Sequence, residues 1–393
     1  MDIVLVGVYF NIFCLRKSYN KTIFFLTIYF ILIILNMIII YFHNSYMNII
    51  YLNGDIMKKV LIIICMFLMM VTPVKAVDFV GKSYIVMDSY NRNVLASQNE
   101  HHIQSVASIS KIMTAIVAIE NASLDDVYTI GDEVNQAWGS GVYIHIGDQI
   151  SLRDLLHGLM LRSGNDAANV IAKNIGGDIE TFVSMMNQKA KELKMNDSYF
   201  SNPTGLDEED KGNLSSAYDM ALLMSYCSQN ALFNDIVSKE SYIREDGGGT
   251  WKNKNRLLKE YEYCVGGKTG FTKKAKRTLV TRAIKDNISL VIVTLNCGND
   301  FEFHEKMYEE CFEKYENLLV LPKGIYQYHG HSFLIDEDLY YCGKEKVKPT
   351  FELVNDQFQV YVSQNQIYET KNNHPLNIIL RYWLILLGEC FNG

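Results

Sequence analysis

Ala107-Ser108-Ile109-Ser110-Lys111-Ile112-Met113-Thr114-Ala115 is the stretch from which the rest of the chain is read. It predicts the start of a helix whose first turn carries a hydroxyl and an amine. Ser108 and Lys111 are three apart, so on a helix they share a face within side-chain reach. A serine hydroxyl is a poor nucleophile until a base takes its proton, and a desolvated lysine can be that base. Ile112, Met113, Ala115, Ile116, Val117 and Ile119 would sink the helix into a core and supply the desolvation. Alone the pattern is cheap, since Ser18 and Lys21 repeat it. A capping serine beside a solvated lysine explains it equally well.

Two further short boxes follow in order. Ser163-Gly164-Asn165 falls between two helical stretches and offers a hydroxyl to relay a proton and an amide to orient a carbonyl. Ser-x-Asn recurs elsewhere, so by itself it also reads as an inter-helix turn. Lys268-Thr269-Gly270 occurs once. There a lysine and a hydroxyl suit a carboxylate, and the glycine admits a close backbone approach. The bland reading of that box is a strand start with a solvated lysine. Ser-x-x-Lys, Ser-x-Asn and Lys-Thr-Gly in this sequence order form the signature of penicillin-binding proteins and β-lactamases.

With its flanks, Leu159 to Ala168, Asn202-Pro203-Thr204-Gly205-Leu206 and Gly267 to Thr272, the set resembles the D-alanyl-D-alanine carboxypeptidases of peptidase family S11, the low-molecular-weight penicillin-binding proteins. The likeness is dense over residues 77–320. It implies an α/β fold of the α+β kind: an antiparallel sheet flanked by helices, with a helical subdomain and then a small β domain. It implies that Ser108 attacks the bond between two terminal D-alanines of a peptidoglycan stem peptide and that Lys111 takes its proton. Ser163 would pass a proton to the leaving D-alanine while Asn165 places the substrate. Lys268 and Thr269 would hold the terminal carboxylate, with Gly270 beside them. The N–H groups of Ser108 and Phe271 would form the oxyanion hole. β-Lactams would trap Ser108. No cofactor or metal is implied.

A serine β-lactamase is the nearest alternative. Class A enzymes carry Ser-Asp-Asn and a deacylating glutamate. Here Gly164 stands in the middle, and Asn196 to Asn202 holds no glutamate. A catalytically silent penicillin- or wall-binding module is the other alternative. It would have no need to keep nucleophile, base and anion site together.

Secondary structure reads outward from these boxes. Tyr84–Asp88 and Val94–Ala96 flank a turn and form a hairpin. Ser151 caps a helix through Met160, Asp166 starts another that stops at Gly176-Gly177, and Glu180 to Leu193 is a third. A fourth helix begins at Ser215 or Ser216. Arg277 to Ile284 and Ile288 to Asn296 pair across Asp286-Asn287. Leu290-Val291-Ile292-Val293 reads as a strand covered on both faces. Asp300 to Tyr315 returns to helix. Beyond residue 320, short β-like stretches over 321–370 suggest a small β domain.

The net charge of −7 conceals an acidic body, with 31 basic against 42 acidic residues in 77–393. That balance argues against nucleic-acid binding. The eight cysteines show no C-x-x-C and the nine histidines no H-x-x-x-H, so no zinc signature is present. At the amino end, Met57-Lys58-Lys59, an apolar run and Ala76 read as a signal peptide over 57–76. Thr22 to Phe42 is long enough to span a bilayer. Arg16, Lys17 and Lys21 would orient that span so as to conflict with the signal. The conflict suggests that translation begins at Met57 and that 1–56 is a doubtful extension. Residues 374–390, with Arg381, Tyr382 and Trp383, read as an apolar helix lying on the membrane surface. These features predict an exported protein attached to the outer face of the cytoplasmic membrane.

Overall fold

The computed structural model describes residues 79–207, 212–354, 357–362 and 365–371. The expected span at 22–42, the signal peptide at 57–76 and the helix at 374–390 lie outside the described residues. Among those described, no helix is long and apolar enough to cross a membrane.

Five antiparallel strands form the main sheet. They are β1 (Ser83–Asp88), β2 (Val94–Gln98), β3 (Cys264–Thr272), β4 (Lys276–Lys285) and β5 (Ile288–Leu295), in spatial order β2-β1-β5-β4-β3. Both ends of the domain thus contribute to one sheet. Strand β5 is buried along its whole length. Its alternate side chains enter two cores: Val291, Val293 and Leu295 on one face, Leu290 and Ile292 on the other. That placement explains an apolar run without alternation. Asp286 and Asn287 both take positive φ, 50° and 64°, as the two-residue turn of a β4–β5 hairpin requires.

The helices are α1 (Lys111–Asn121), α2 (Leu152–His157), α3 (Asn165–Gly176), α4 (Ile179–Glu192), α5 (Ala217–Cys227), α6 (Ala231–Ser238), the short α7 (Leu257–Glu260) and α8 (Asp300–Lys314). Helix α5 packs on β1 and β5, and α8 packs on β4 and β5. The larger core lies between the sheet and α1 to α6. Caps follow the sequence: Ser151 Oγ accepts from Asp154 N, and Ser216 Oγ from Asp219 N. Two local details differ from the expectation. Ser108 lies in a separate 3-10 turn, Ala107–Ser110, and α1 begins only at Lys111. The helix capped by Ser151 gives way after His157 to a π turn, Gly158–Arg162.

Beyond α8 the strands are β6 (Glu316–Leu321), β7 (Gly324–Tyr328), β8 (His331–Ile335), β9 (Leu339–Gly343), β10 (Thr350–Val354), β11 (Gln357–Val362) and β12 (Asn365–Lys371). They pair as β6–β9, β7–β8 and β10-β11-β12, apart from the main sheet. Since β6 starts at Glu316, this pairing begins a few residues before the expected 321. A small core around Phe333, Ile335, Phe358 and Val360 holds the strands together. Cys227, Cys264, Cys297, Cys311 and Cys342 are buried free thiols.

Candidate active site

The 3-10 turn places Ser108 at the base of a cleft. Thr278 Oγ1 on β4 donates to Val106 O (3.0 Å), and Ser110 Oγ donates to Ala107 O (2.9 Å). Asn213 Nδ2 in turn donates to Ser110 Oγ (2.9 Å). Ala107 itself takes φ 52°. Gly205 closes over this turn: at φ +78° a Cβ there would fall 2.2 Å from Ala107 O. Only glycine supplies both the conformation and the clearance.

Lys111 is fully buried. Its Nζ meets Ser108 Oγ at 3.1 Å, Asn165 Oδ1 at 2.7 Å and the carbonyl oxygen of Thr204. The orientation of the Asn165 amide follows from its other end, where Nδ2 donates to Trp138 O (2.5 Å). Two of the three partners of Lys111 are therefore obligate acceptors. A neutral amine has two N–H bonds and one lone pair, so these acceptors consume both protons. In that neutral form the lone pair is left for Ser108 Oγ, the one partner that can donate. Burial, reinforced by the charge of Lys254, lowers the pKa of Lys111 to about 7, with Asp166 opposing.

Ser163 ends the π turn in the left-handed conformation (φ 65°), which turns its side chain out of the helix and toward β3. Lys268 Nζ, also buried, donates to Ser163 Oγ (3.0 Å) and to Thr269 O (2.8 Å). Burial, then Lys111 and Lys254, push its pKa well below the ordinary lysine value. Strand β3 passes so close to the nucleophile turn that a Cβ on Gly270 would lie 2.4 Å from Thr278 Oγ1 and 3.0 Å from Ser108 N. Ser108, Ser163, Thr269, Gly270 and Phe271 line one cleft of about 300 Å³, together with Lys254, Arg277 and Asp300. Phe271 is exposed. A larger cavity of about 830 Å³, beside Tyr90 and Tyr315, holds none of these residues.

Several groups that shape the site carried no signal of their own in the sequence. Asp166 accepts from Val142 N (2.9 Å) and Tyr143 N (2.7 Å), which fastens the loop 139–147 beside the cleft. Lys254 Nζ donates to Ser140 Oγ (3.1 Å) across the mouth. Asp207 accepts from Ser105 Oγ (2.7 Å) and Thr272 Oγ1, tying the end of β3 to the nucleophile side. Among the described residues no group of His, Cys, Asp and Glu could hold a metal ion.

The antiparallel sheet with helices on both faces and a small β region after it is the fold of the DD-peptidases and penicillin-binding proteins. The family described as D-alanyl-D-alanine carboxypeptidase, peptidase S11, matches residues 70–299, and the chain belongs to it. D-alanyl-D-alanine carboxypeptidase DacF of Bacillus subtilis is 33% identical over 251 residues, or 60% of this chain and 63% of that protein. The chain thus matches somewhat less than two thirds of that relative's length. Among solved structures, a D-alanyl-D-alanine carboxypeptidase from Mycobacterium tuberculosis superposes with a TM-score of 0.57 at 28% identity, covering 62% of this chain and 96% of that one. Penicillin-binding protein D2 from Listeria monocytogenes, in its ampicillin-bound form, gives a TM-score of 0.55 at 26% identity, covering 60% and 98%.

Proposed function

We propose that this chain is a serine-type D-Ala-D-Ala carboxypeptidase that removes the terminal D-alanine from peptidoglycan stem peptides. The observation that carries the reading is the contact of the buried Lys111 Nζ with Ser108 Oγ (3.1 Å), its two other partners being obligate acceptors. Ser108 Oγ bonds to the carbonyl carbon of the penultimate D-alanine as its proton passes to Lys111 Nζ. The carbon–nitrogen bond then breaks, and the leaving amine takes a proton from Ser163 Oγ, which is made good by the proton held on Lys111, so that Lys111 is neutral again. Lys268, 3.0 Å from that oxygen, steadies its charge. Asn165 orients the substrate carbonyl, and Lys268 with Thr269 receives the terminal carboxylate beside Gly270. The N–H groups of Ser108 and Phe271 stabilise the oxyanion, a contact worth about 3 kcal/mol per donor. Water releases the acyl group from Ser108.

β-Lactams acylate Ser108 in the same way, a reading supported by the ampicillin-bound relative. Export through the segment 57–76 and attachment of 374–390 to the outer face of the cytoplasmic membrane complete the proposal. The test is incubation with a peptide ending in D-Ala-D-Ala. Free D-alanine is expected, and Ser108→Ala should abolish both its release and covalent penicillin labelling. Labelling that survives Ser108→Ala would sink the assignment.

A further inference from the structure

Asp207 stands between the two segments that meet over the nucleophile. Its Oδ1 accepts from Ser105 Oγ (2.7 Å) and its Oδ2 from Thr272 Oγ1. Ser105 lies three residues before Ser108, and Thr272 directly follows Phe271. One carboxylate thus ties together the two pieces of chain that carry the N–H groups of the oxyanion hole proposed above.

The gap between those pieces needs such a tie. Strand β3 is an edge of the main sheet, so one of its sides has no strand to hold it. The bond from Thr278 Oγ1 to Val106 O fastens the nucleophile segment to β4, the neighbour of β3. Asp207 adds the direct link to β3 itself. The carboxylate is well anchored. It ends the run Asn202–Asp207, where Asn202 Oδ1 accepts from Thr204 N (3.2 Å) and Gly205 N (2.7 Å), and Asn202 Nδ2 donates to Leu206 O (3.0 Å). The same run supplies the Thr204 carbonyl that binds Lys111. Thr272 Oγ1 accepts from Ala275 N (3.0 Å), which leaves its own proton for Asp207. Hydroxyl-to-carboxylate bonds are stronger than those between neutral groups. A negative charge next to a developing oxyanion opposes it, so the task of Asp207 is spacing and not charge.

We infer that Asp207 is a positioning residue that sets the separation of the Ser108 and Phe271 N–H groups by clamping Ser105 to Thr272. The inference rests on the carboxypeptidase reading above. A misplacement of about 1 Å in a catalytic geometry costs about 100-fold in rate.

The test uses the full-length chain and its Asp207→Ala and Asp207→Asn variants, with active sites counted by penicillin labelling. Asp207→Ala should lower kcat/KM for D-alanine release from an acetylated tripeptide ending in D-Ala-D-Ala by about 100-fold. A peptide boronic acid that adds to Ser108 Oγ places a boron-bound oxygen in the oxyanion hole, and its dissociation constant should rise by the same factor. Asparagine has one acceptor and one donor and can serve both hydroxyls. Asp207→Asn should therefore restore both values to near those of the unaltered protein. A merely structural role would reduce the number of active sites and leave the boronate constant per site in place. An unchanged constant in Asp207→Ala, or an Asp207→Asn variant no better than it, overturns the clamp alone. If Asp207→Ala does not fold, Ser105→Ala decides: it cuts one arm, and an unchanged boronate constant there overturns the clamp. An unaltered protein that neither releases D-alanine nor takes the penicillin label overturns the carboxypeptidase reading as well.

Discussion

Asn165 Oδ1 accepts a hydrogen bond from Lys111 Nζ at 2.7 Å, joining the helix that follows Ser163 to the one that follows Ser108. The amide is neutral, so it satisfies the buried amine without favouring its charged form. Asn165→Asp would put a carboxylate in its place. An opposite charge at this range raises a lysine pKa by about 1–3 units. The acid limb of kcat/KM for D-alanine release should move upward by at least about one unit. Activity at pH 7 should fall about five-fold or more and recover in alkali. A pH profile of the variant whose acid limb stays in place would show that Asn165 does not set the state of Lys111.

The unaltered enzyme should carry the same signature at a lower pH. Lys111 is the proposed base, and only its neutral form accepts the Ser108 proton. Burial brings its pKa to about 7. Activity is therefore present above that value and lost as pH falls through it. Lys111→Arg should be inactive at every accessible pH, because guanidinium does not deprotonate. Rates of D-alanine release between pH 5 and 9, with penicillin labelling measured in parallel, check both statements.

Gly270 tests how closely strand β3 must approach the nucleophile. A methyl group there meets Thr278 Oγ1 at 2.4 Å and Ser108 N at 3.0 Å. The strand or the turn must shift, and shifts of this size disturb a catalytic geometry by about 100-fold. Gly270→Ala should lose about two orders of magnitude in the rate of Ser108 acylation while keeping its thermal transition. Stopped-flow measurement with a fluorescent penicillin gives the rate, and calorimetry the transition. An unchanged acylation rate would mean that the methyl is absorbed without moving Ser108.

Much of this arrangement is legible in the chain itself. The three-residue spacing of Ser108 and Lys111 survives the unexpected 3-10 turn, because either helix type keeps the two side chains adjacent. The unbroken apolar run at Leu290–Val293 marked a strand buried on both faces, and Asp286-Asn287 marked its hairpin. Other parts left no trace in residue types. The Thr204 carbonyl that binds Lys111 is backbone, so Asn202-Pro203-Thr204-Gly205 reads only as a turn. The left-handed Ser163 arises from a π turn, which no periodicity in Gly158–Arg162 announces. Lys254 sits between two asparagines, and a hydrogen bond from its backbone N–H to Leu161 O (3.1 Å) helps to hold it at the cleft. Asp166 looks like any acidic residue in the first turn of a helix, where the helix dipole favours it.

That last carboxylate has a second task, and its removal should separate stability from chemistry. Asp166 is buried and accepts from Val142 N and Tyr143 N as well as from its neighbour Ala167 N (2.9 Å). Hydrogen bonds to a charged group contribute about 1.5–3 kcal/mol each, and the N–H groups left behind would be only partly rewetted. Asp166→Ala should cost about 2–4 kcal/mol of unfolding free energy, read from urea midpoints. It should also open the loop 139–147 to protease before the rest of the domain. Because Asn165 Nδ2 donates to the carbonyl of Trp138, the residue just before that loop, D-alanine release should slow as well. If the midpoint does not move and the loop stays uncut, the loop is held by its own turns, and Asp166 is only a helix-terminal charge.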